Sequence, residues 1–120
     1  LASIFINVTH GPEHPTRACL GFLVARYALE QGHQVSMFLA GDAVQLIRDD
    51  VLDSLSGLGT GSLREHFDII AEKGGKIYLS KMSSKTRGVT PADVEGKPTE
   101  MVMPADLVRL ALEHERNFTY

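Results

Sequence analysis

Four short apolar runs rich in β-branched residues punctuate the chain: "ASIFINV" (Ala2 to Val8), "VSMFLA" (Val35 to Ala40), "KIYLS" (Lys76 to Ser80) and "EMVMP" (Glu100 to Pro104). A run this continuously apolar suits a strand covered on both faces rather than one with a wet side. Helical patterns separate all four runs, and a strand, helix, strand order brings consecutive strands together in parallel through right-handed crossovers. The expected fold is therefore α/β: a three-layer α/β/α sandwich around a parallel sheet of four to five strands. "NFTY" (Asn117 to Tyr120) is the candidate fifth strand.

Helix ends are signalled by residue chemistry. Pro15 suits the first turn of a helix that runs to Gln31 and stops at Gly32. Ser62 and Glu65 form a capping box for a helix reaching about Lys73, where Gly74 and Gly75 follow. Thr90, Pro91 and Asp93 open a short helix that Gly96 closes, and Pro104 opens a last one through about Arg116. In the first helix Ala18, Phe22, Ala25 and Leu29 form one stripe, while Leu20, Val24 and Tyr27 lie off it. A helix apolar on more than one side packs on more than its own sheet, so self-association is expected.

At 120 residues the chain has the size of one domain, residues 1–120. Apolar residues at 43% and charged residues at 22% are ordinary for a chain that folds throughout. A net charge of -3 gives no electrostatic pull toward nucleic acid or an anionic membrane, both of which need clustered Lys and Arg. The single cysteine, Cys19, forms no internal disulfide, and no charged-then-apolar leader precedes the first strand, so a cytoplasmic location is expected.

In an open parallel sheet, ligands bind where loops leave the strand C-termini. Those loops are "THGPEHPTR" (Thr9 to Arg17), "GDAV" (Gly41 to Val44), "KMSSKTRG" (Lys81 to Gly88) and the region of Pro104 and Asp106. "GLGTG" (Gly57 to Gly61) lacks the preceding strand and spacing of a dinucleotide fingerprint and reads as a chain reversal. The segment from Asp42 to Gly61 leaves and returns to the same rim; its Val44, Leu46, Ile47, Val51, Leu52 and Leu55 need cover, as a lid or as a wall shared with a neighbouring subunit.

The third of these loops carries the densest chemistry. If Ser83 or Ser84 caps a helical turn, its hydroxyls, backbone N–H groups, Lys85 and Arg87 would face one place, which suits an anion. The plainer alternative is a capped turn with solvated charges. Serine nucleophilicity needs a base, for which His10 is the candidate, oriented by Asp42 or Glu13; no G-x-S-x-G elbow supports it. His10, Glu13 and His14 contain metal-ligand types, but Gly11 and Pro12 forbid a regular helix, so no metal is expected there. Cys19 falls in the apolar part of its helix and reads as core. His33, His66 and His114 are assigned no chemistry, and no cofactor is implied.

"GPEHPTRA" (Gly11 to Ala18), "GHQVSMFLAGDAV" (Gly32 to Val44), "GLGTGSL" (Gly57 to Leu63), "SSKTRG" (Ser83 to Gly88) and "PADLVRLALE" (Pro104 to Glu113), in this order, resemble the DsrE/DsrF-like (YchN-like) family, which includes sulfur-relay proteins. The resemblance implies a five-stranded parallel sheet and assembly into trimers or hexamers. Its persulfide carriers use a cysteine in the loop after the third strand, where this chain has Met82, Ser83 and Ser84. Neither a hydroxyl nor a thioether holds a transferable sulfane sulfur. The expected function is thus a non-thiol module that binds a small anionic or sulfur-containing ligand, or docks a relay partner. The expected site is His10, Glu13, Arg17, Asp42, Ser83, Ser84, Lys85 and Arg87. Ser83, Ser84, Lys85 and Arg87 would contact the anion, while Asp42 and Glu13 would orient Arg or His. The alternatives are a sulfurtransferase acting through Cys19 or a partner's thiol, and a structural or regulatory subunit of a hetero-oligomer.

Overall fold

The computed structural model describes residues 1–120. Its main sheet contains β1 (Ser3–Val8), β2 (Gln34–Leu39), β5 (Lys76–Ser80), β6 (Thr99–Val102) and β7 (Arg116–Thr119). The helices are α1 (Pro15–Glu30), α2 (Asp49–Ser54), α3 (Leu63–Glu72), α4 (Lys81–Thr86), α5 (Pro91–Val94) and α6 (Pro104–Glu113), with a 3-10 helix over Gly41–Ile47. A two-stranded hairpin, β3 (Ser56–Gly57) and β4 (Gly61–Ser62), completes the chain. The sheet order is β6-β5-β2-β1-β7 and every pair in it is parallel. No helix is long and apolar enough to cross a membrane.

Strand alternation divides the core in two. Ile4, Ile6 and Val8 of β1, Val35, Met37 and Leu39 of β2, and Ile77 and Leu79 of β5 join α1, α3 and the 3-10 helix in the larger cluster. Phe5 and Phe38 point the other way, to Val102 and Leu110. The apolar continuity of β1 and β2 thus reflects two covered faces, each strand supplying alternate residues to a different helix layer.

Two boundaries differ from the sequence expectation. The last helix ends at Glu113 rather than near Arg116: His114 is extended (φ -96, ψ 145), the Glu115 N–H donates to the Ser3 carbonyl at 3.1 Å, and Arg116 already pairs with Ile4. Pairing with the open edge of β1 supplies these backbone groups with partners that another helical turn would forgo. The fifth strand accordingly starts one residue before "NFTY". "GLGTG" is a chain reversal, made by the β3–β4 hairpin with Gly59 and Gly61 at positive φ.

The segment from Asp42 to Gly61 finds its cover within its own chain. Val44, Leu46, Ile47 and Leu52 are fully buried in the larger core, with Val51 and Leu55 packed against it. A polar strap holds this segment down. Lys97 Nζ donates to the carbonyls of Ile47 (2.9 Å) and Asp93 (2.6 Å) and meets Asp49 at 3.0 Å. Arg64 reaches Asp49 at 2.9 Å and Asp53 at 2.7 Å. Hydrogen bonds from Arg64, and then from Lys97, hold the Asp49 carboxyl below its ordinary range.

On α1, Ala18, Cys19, Phe22, Ala25 and Ala28 are buried, while Tyr27 stays 54% exposed.

The smaller core is the anchor of α6, and Phe5 is its centre: the ring packs edge-on to Phe38 and lies 5.2 Å from the His114 ring. Phe5→Ala should cost about 3–5 kcal/mol. Urea unfolding would show it, and amide exchange in α6 should accelerate more than in α3. A loss below about 1 kcal/mol would mean that α6 docks without this cluster.

Candidate functional site

The rim at the strand C-termini is assembled by three loops pressed together. In the first, Gly11 N–H donates to both Glu13 carboxylate oxygens (2.8 and 3.1 Å), and the His10 and His14 rings meet edge to face at 5.3 Å. Glu13 is therefore spent on its own loop backbone and orients no arginine. Gly11 cannot carry a side chain, since a Cβ there would lie against the Asp42 carbonyl. That contact seats the first loop directly on the second.

The third loop differs from expectation. β5 runs straight into α4, and Ser80 is the cap, its Oγ accepting from Ser83 N–H at 3.1 Å. Ser83 and Ser84 consequently sit inside the helix rather than at its cap. Ser83 Oγ accepts from Gly41 N–H at 2.9 Å, tying α4 to the start of the 3-10 helix, where Gly41 takes φ +57. Ser84 is buried at 2% exposure, beneath the reach of a rim ligand.

The charges here are partly spent as well. Arg87 Nε pairs with Asp42 at 2.9 Å, and its NH1 donates to the Ser83 carbonyl and the Thr86 hydroxyl. Arg48 closes the knot by donating to the Arg87 carbonyl at 2.6 Å. Asp42, Ser83 and Arg87 are thus brought together, as a knot that fixes loop geometry. Asp42 does orient an arginine, as its expected role requires.

The other rim candidates fall into separate depressions. Arg17 is exposed and lines a cavity of about 410 Å³ with His14, Thr16, Leu20 and Tyr120. Lys85 lines a groove of about 250 Å³ with Lys81, Met82 and Met103. The structure therefore does not gather the eight expected residues into one pocket. Sequence reading missed the two methionines, which are 56% and 44% exposed. The available signal was their places within "KMSSK" and just after β6, two stretches that must be neighbours because β5 and β6 pair.

No base stands by the serines. His10 contacts Thr9 and His14, and the Ser83 hydroxyl is already an acceptor for Gly41. Cys19 lies elsewhere, fully buried on α1 beneath the glycine hairpin, with its thiol donating to the Gly61 carbonyl at 3.5 Å. Burial pushes its pKa up, outweighing the lowering by the Gly57 backbone and the Thr60 hydroxyl, so the thiolate is disfavoured. The hairpin that seals it is itself pinned. Its Leu58 N–H donates to Thr16 Oγ1 at 3.2 Å, and buried His66 Nε2 donates to the Thr60 carbonyl at 2.7 Å while its Nδ1 accepts from Arg26 at 3.3 Å.

These features define a small parallel α/β/α domain with a cationic, hydroxyl-bearing rim and no thiol on it. The sequence profile of the DsrE/DsrF-like family matches residues 2–120, and the chain belongs to that family. Among solved structures it is similar to the ychN protein from E. coli (17% identity, TM-score 0.78, all of both chains covered). It is likewise similar to MTH1491 from Methanobacterium thermoautotrophicum, a protein of unknown function (12%, 0.75, all of both chains). BT1422 from Bacteroides thetaiotaomicron, also of unknown function, aligns at 13% identity and TM-score 0.67 over 97% of this chain and 94% of its own. At these identities the likeness speaks for the fold. No curated protein matches the chain.

The Ser83 tie generates a direct test of the knot. Ser83→Ala leaves the Gly41 N–H without its acceptor at a cost of about 1–3 kcal/mol. Hydrogen exchange at Gly41 should accelerate while exchange in β1 is unchanged, and an unaltered Gly41 rate would remove the tie from the account.

Proposed function

We propose that this chain is a DsrE-like binding module that takes a small sulfur oxyanion, or docks a relay partner, at its strand C-terminal rim without thiol chemistry of its own. One observation carries this reading. The rim offers unpaired cations, Lys81 and Lys85, beside two open thioethers, Met82 and Met103, while the chain's one thiol lies sealed below a hairpin.

Ammonium groups attract the anion's charge, and a polarizable thioether is a good van der Waals neighbour for its sulfur. Arg87, held by Asp42, contributes field rather than a free contact, and Ser83 shapes the rim. Arg17 belongs to a separate depression, and His10 stacks edge to face on His14 beside it. Relay-partner docking is the second reading, favoured by the exposure of both methionines at one edge, since flexible Met surfaces suit protein partners. A structural or regulatory role in a hetero-oligomer is the third.

Homo-oligomer formation belongs to the same proposal. Tyr27 and Phe118 lie exposed along a groove of about 270 Å³ between α1 and the edge strand β7, and a second copy would cover them.

Thermal-shift titration with thiosulfate tests the anion reading. The wild type should be stabilised in a concentration-dependent way, and Lys81→Gln with Lys85→Gln should remove the effect without changing the unliganded Tm. Arg87→Gln is the wrong probe, because it also breaks the Asp42 pair. Equal stabilisation of the double variant would refute the assignment.

The sulfurtransferase alternative is separated by mass spectrometry. After incubation of the native protein with a persulfide donor, Cys19 should gain no sulfur, whereas prior unfolding should make it react. Loading of folded protein would overturn the non-thiol reading.

A further inference from the structure

The opposite edge of the sheet, where the strands begin, holds a cavity of about 330 Å³ whose lining includes His33, Ser36, Lys73, Lys76 and His114. Only Leu29 and Val35 in that lining are apolar, which is unlike the mostly apolar walls that hold larger organic ligands. The residues come from three stretches of chain. Ser36 of β2 and Lys76 of β5 are register partners, and alternation puts both on the α6 side of the sheet. His114 follows α6 and is fixed there by Phe5. His33 and Lys73 come from the turns that end α1 and α3.

We propose that this cavity binds inorganic phosphate. Lys73 has no carboxylate within ion-pair distance, and Lys76 has one, Glu100, at a loose 3.7 Å, with its ammonium 5.8 Å from the Tyr78 ring centre. Basic residues at such an edge often serve to complement helix C-termini. Here the terminal carbonyls of α1 already accept from Gln31, Gly32 and His33 N–H, and those of α3 from Lys73, Gly74 and Gly75 N–H. The side chains are thus not used as caps.

The two imidazoles select among anions. His114 Nδ1 lies 2.6 Å from the Leu110 carbonyl, which can only accept, so Nδ1 carries a proton, and in the neutral ring Nε2 is then an acceptor. His33 Nδ1 accepts from Ala2 N–H at 2.9 Å, so its Nε2 carries the proton and donates. A ligand satisfying both needs one O–H beside its anionic oxygens. Inorganic phosphate keeps at least one O–H at neutral pH. Sulfate has none, and a phosphomonoester, with its second pKa near 6, has mostly lost its own. The oxygens then receive Lys73, Lys76, Ser36 and His33, and the O–H meets His114.

Amide NMR of the full chain, titrated with inorganic phosphate at pH 7 and constant ionic strength, tests this site. Saturable shifts are expected at Ser36, Gly74 and Lys76, with weaker responses to sulfate and to glycerol phosphate. Lys73→Gln and Lys76→Gln should each weaken binding roughly tenfold, the loss of one charged hydrogen bond, while the spectrum stays dispersed. Lys81→Gln with Lys85→Gln should leave it unchanged, which keeps this result independent of the rim. Absent or non-saturating shifts, equal affinity for sulfate, or undiminished binding by the lysine variants would each overturn the proposal.

Discussion

The interior position of β1 is the constraint on which the rest depends. It is the first strand in sequence, yet it lies between β2 and β7, so the chain must return at its far end to close the sheet. Four β1 side chains are therefore committed to one of two cores, Phe5 to the α6 layer and Ile4, Ile6 and Val8 to the α1 and α3 layer, while Ser3 and Asn7 stay half-buried. A one-residue slip would exchange the two sets and place isoleucines where the Phe5 ring meets Phe38 and His114. Register at β1 in turn fixes register at β2 and β5, and hence which loops meet at each edge.

At the C-terminal edge, most of the polar groups hold the edge together. Asp42, Ser83, Arg87 and Glu13 all point at protein groups, and the hydrogen bonds they form set the relative height of three loops. What remains for a ligand is what no loop uses: Lys81, Lys85, Arg17 and the methionines. A site whose frame and contact residues are distinct keeps its shape when unliganded, and less ordering cost is then charged to binding.

Much of the fold was readable because its signals are local. β-branched runs marked the strands, and Pro15, Ser62, Thr90 and Pro104 marked helix starts at or next to the observed ones. The last helix was overextended because the competitor for its final residues was the β1 edge, more than a hundred residues away. The cap of α4 was misplaced for a related reason. Ser80 belongs at once to a strand end and a helix cap, and a reading that assigns each residue one role passes it over. The rim candidates come from the loops at that edge, with Ser84 buried beneath it, but pairwise reach between side chains decides a pocket. Only coordinates reveal that Arg17 and Lys85 line different depressions, or that Gly11 touches the Asp42 carbonyl.

The same limit explains why His33 and His114 carried no sequence signal. Eighty residues separate them, neither sits in a motif, and each in isolation is an ordinary turn histidine. The complementary tautomers of their neutral rings follow from two backbone partners, the Ala2 N–H and the Leu110 carbonyl, that only the folded sheet supplies. A donor on one ring and an acceptor on the other is a stronger requirement on a ligand than positive charge alone, because charge admits any anion whereas this pair asks for a proton at one position. In the proposed sites, hydrogen-bond polarity sets selectivity at the strand-start edge while charge beside thioether sulfur sets attraction at the rim, so the two edges of one sheet need not compete for one ligand.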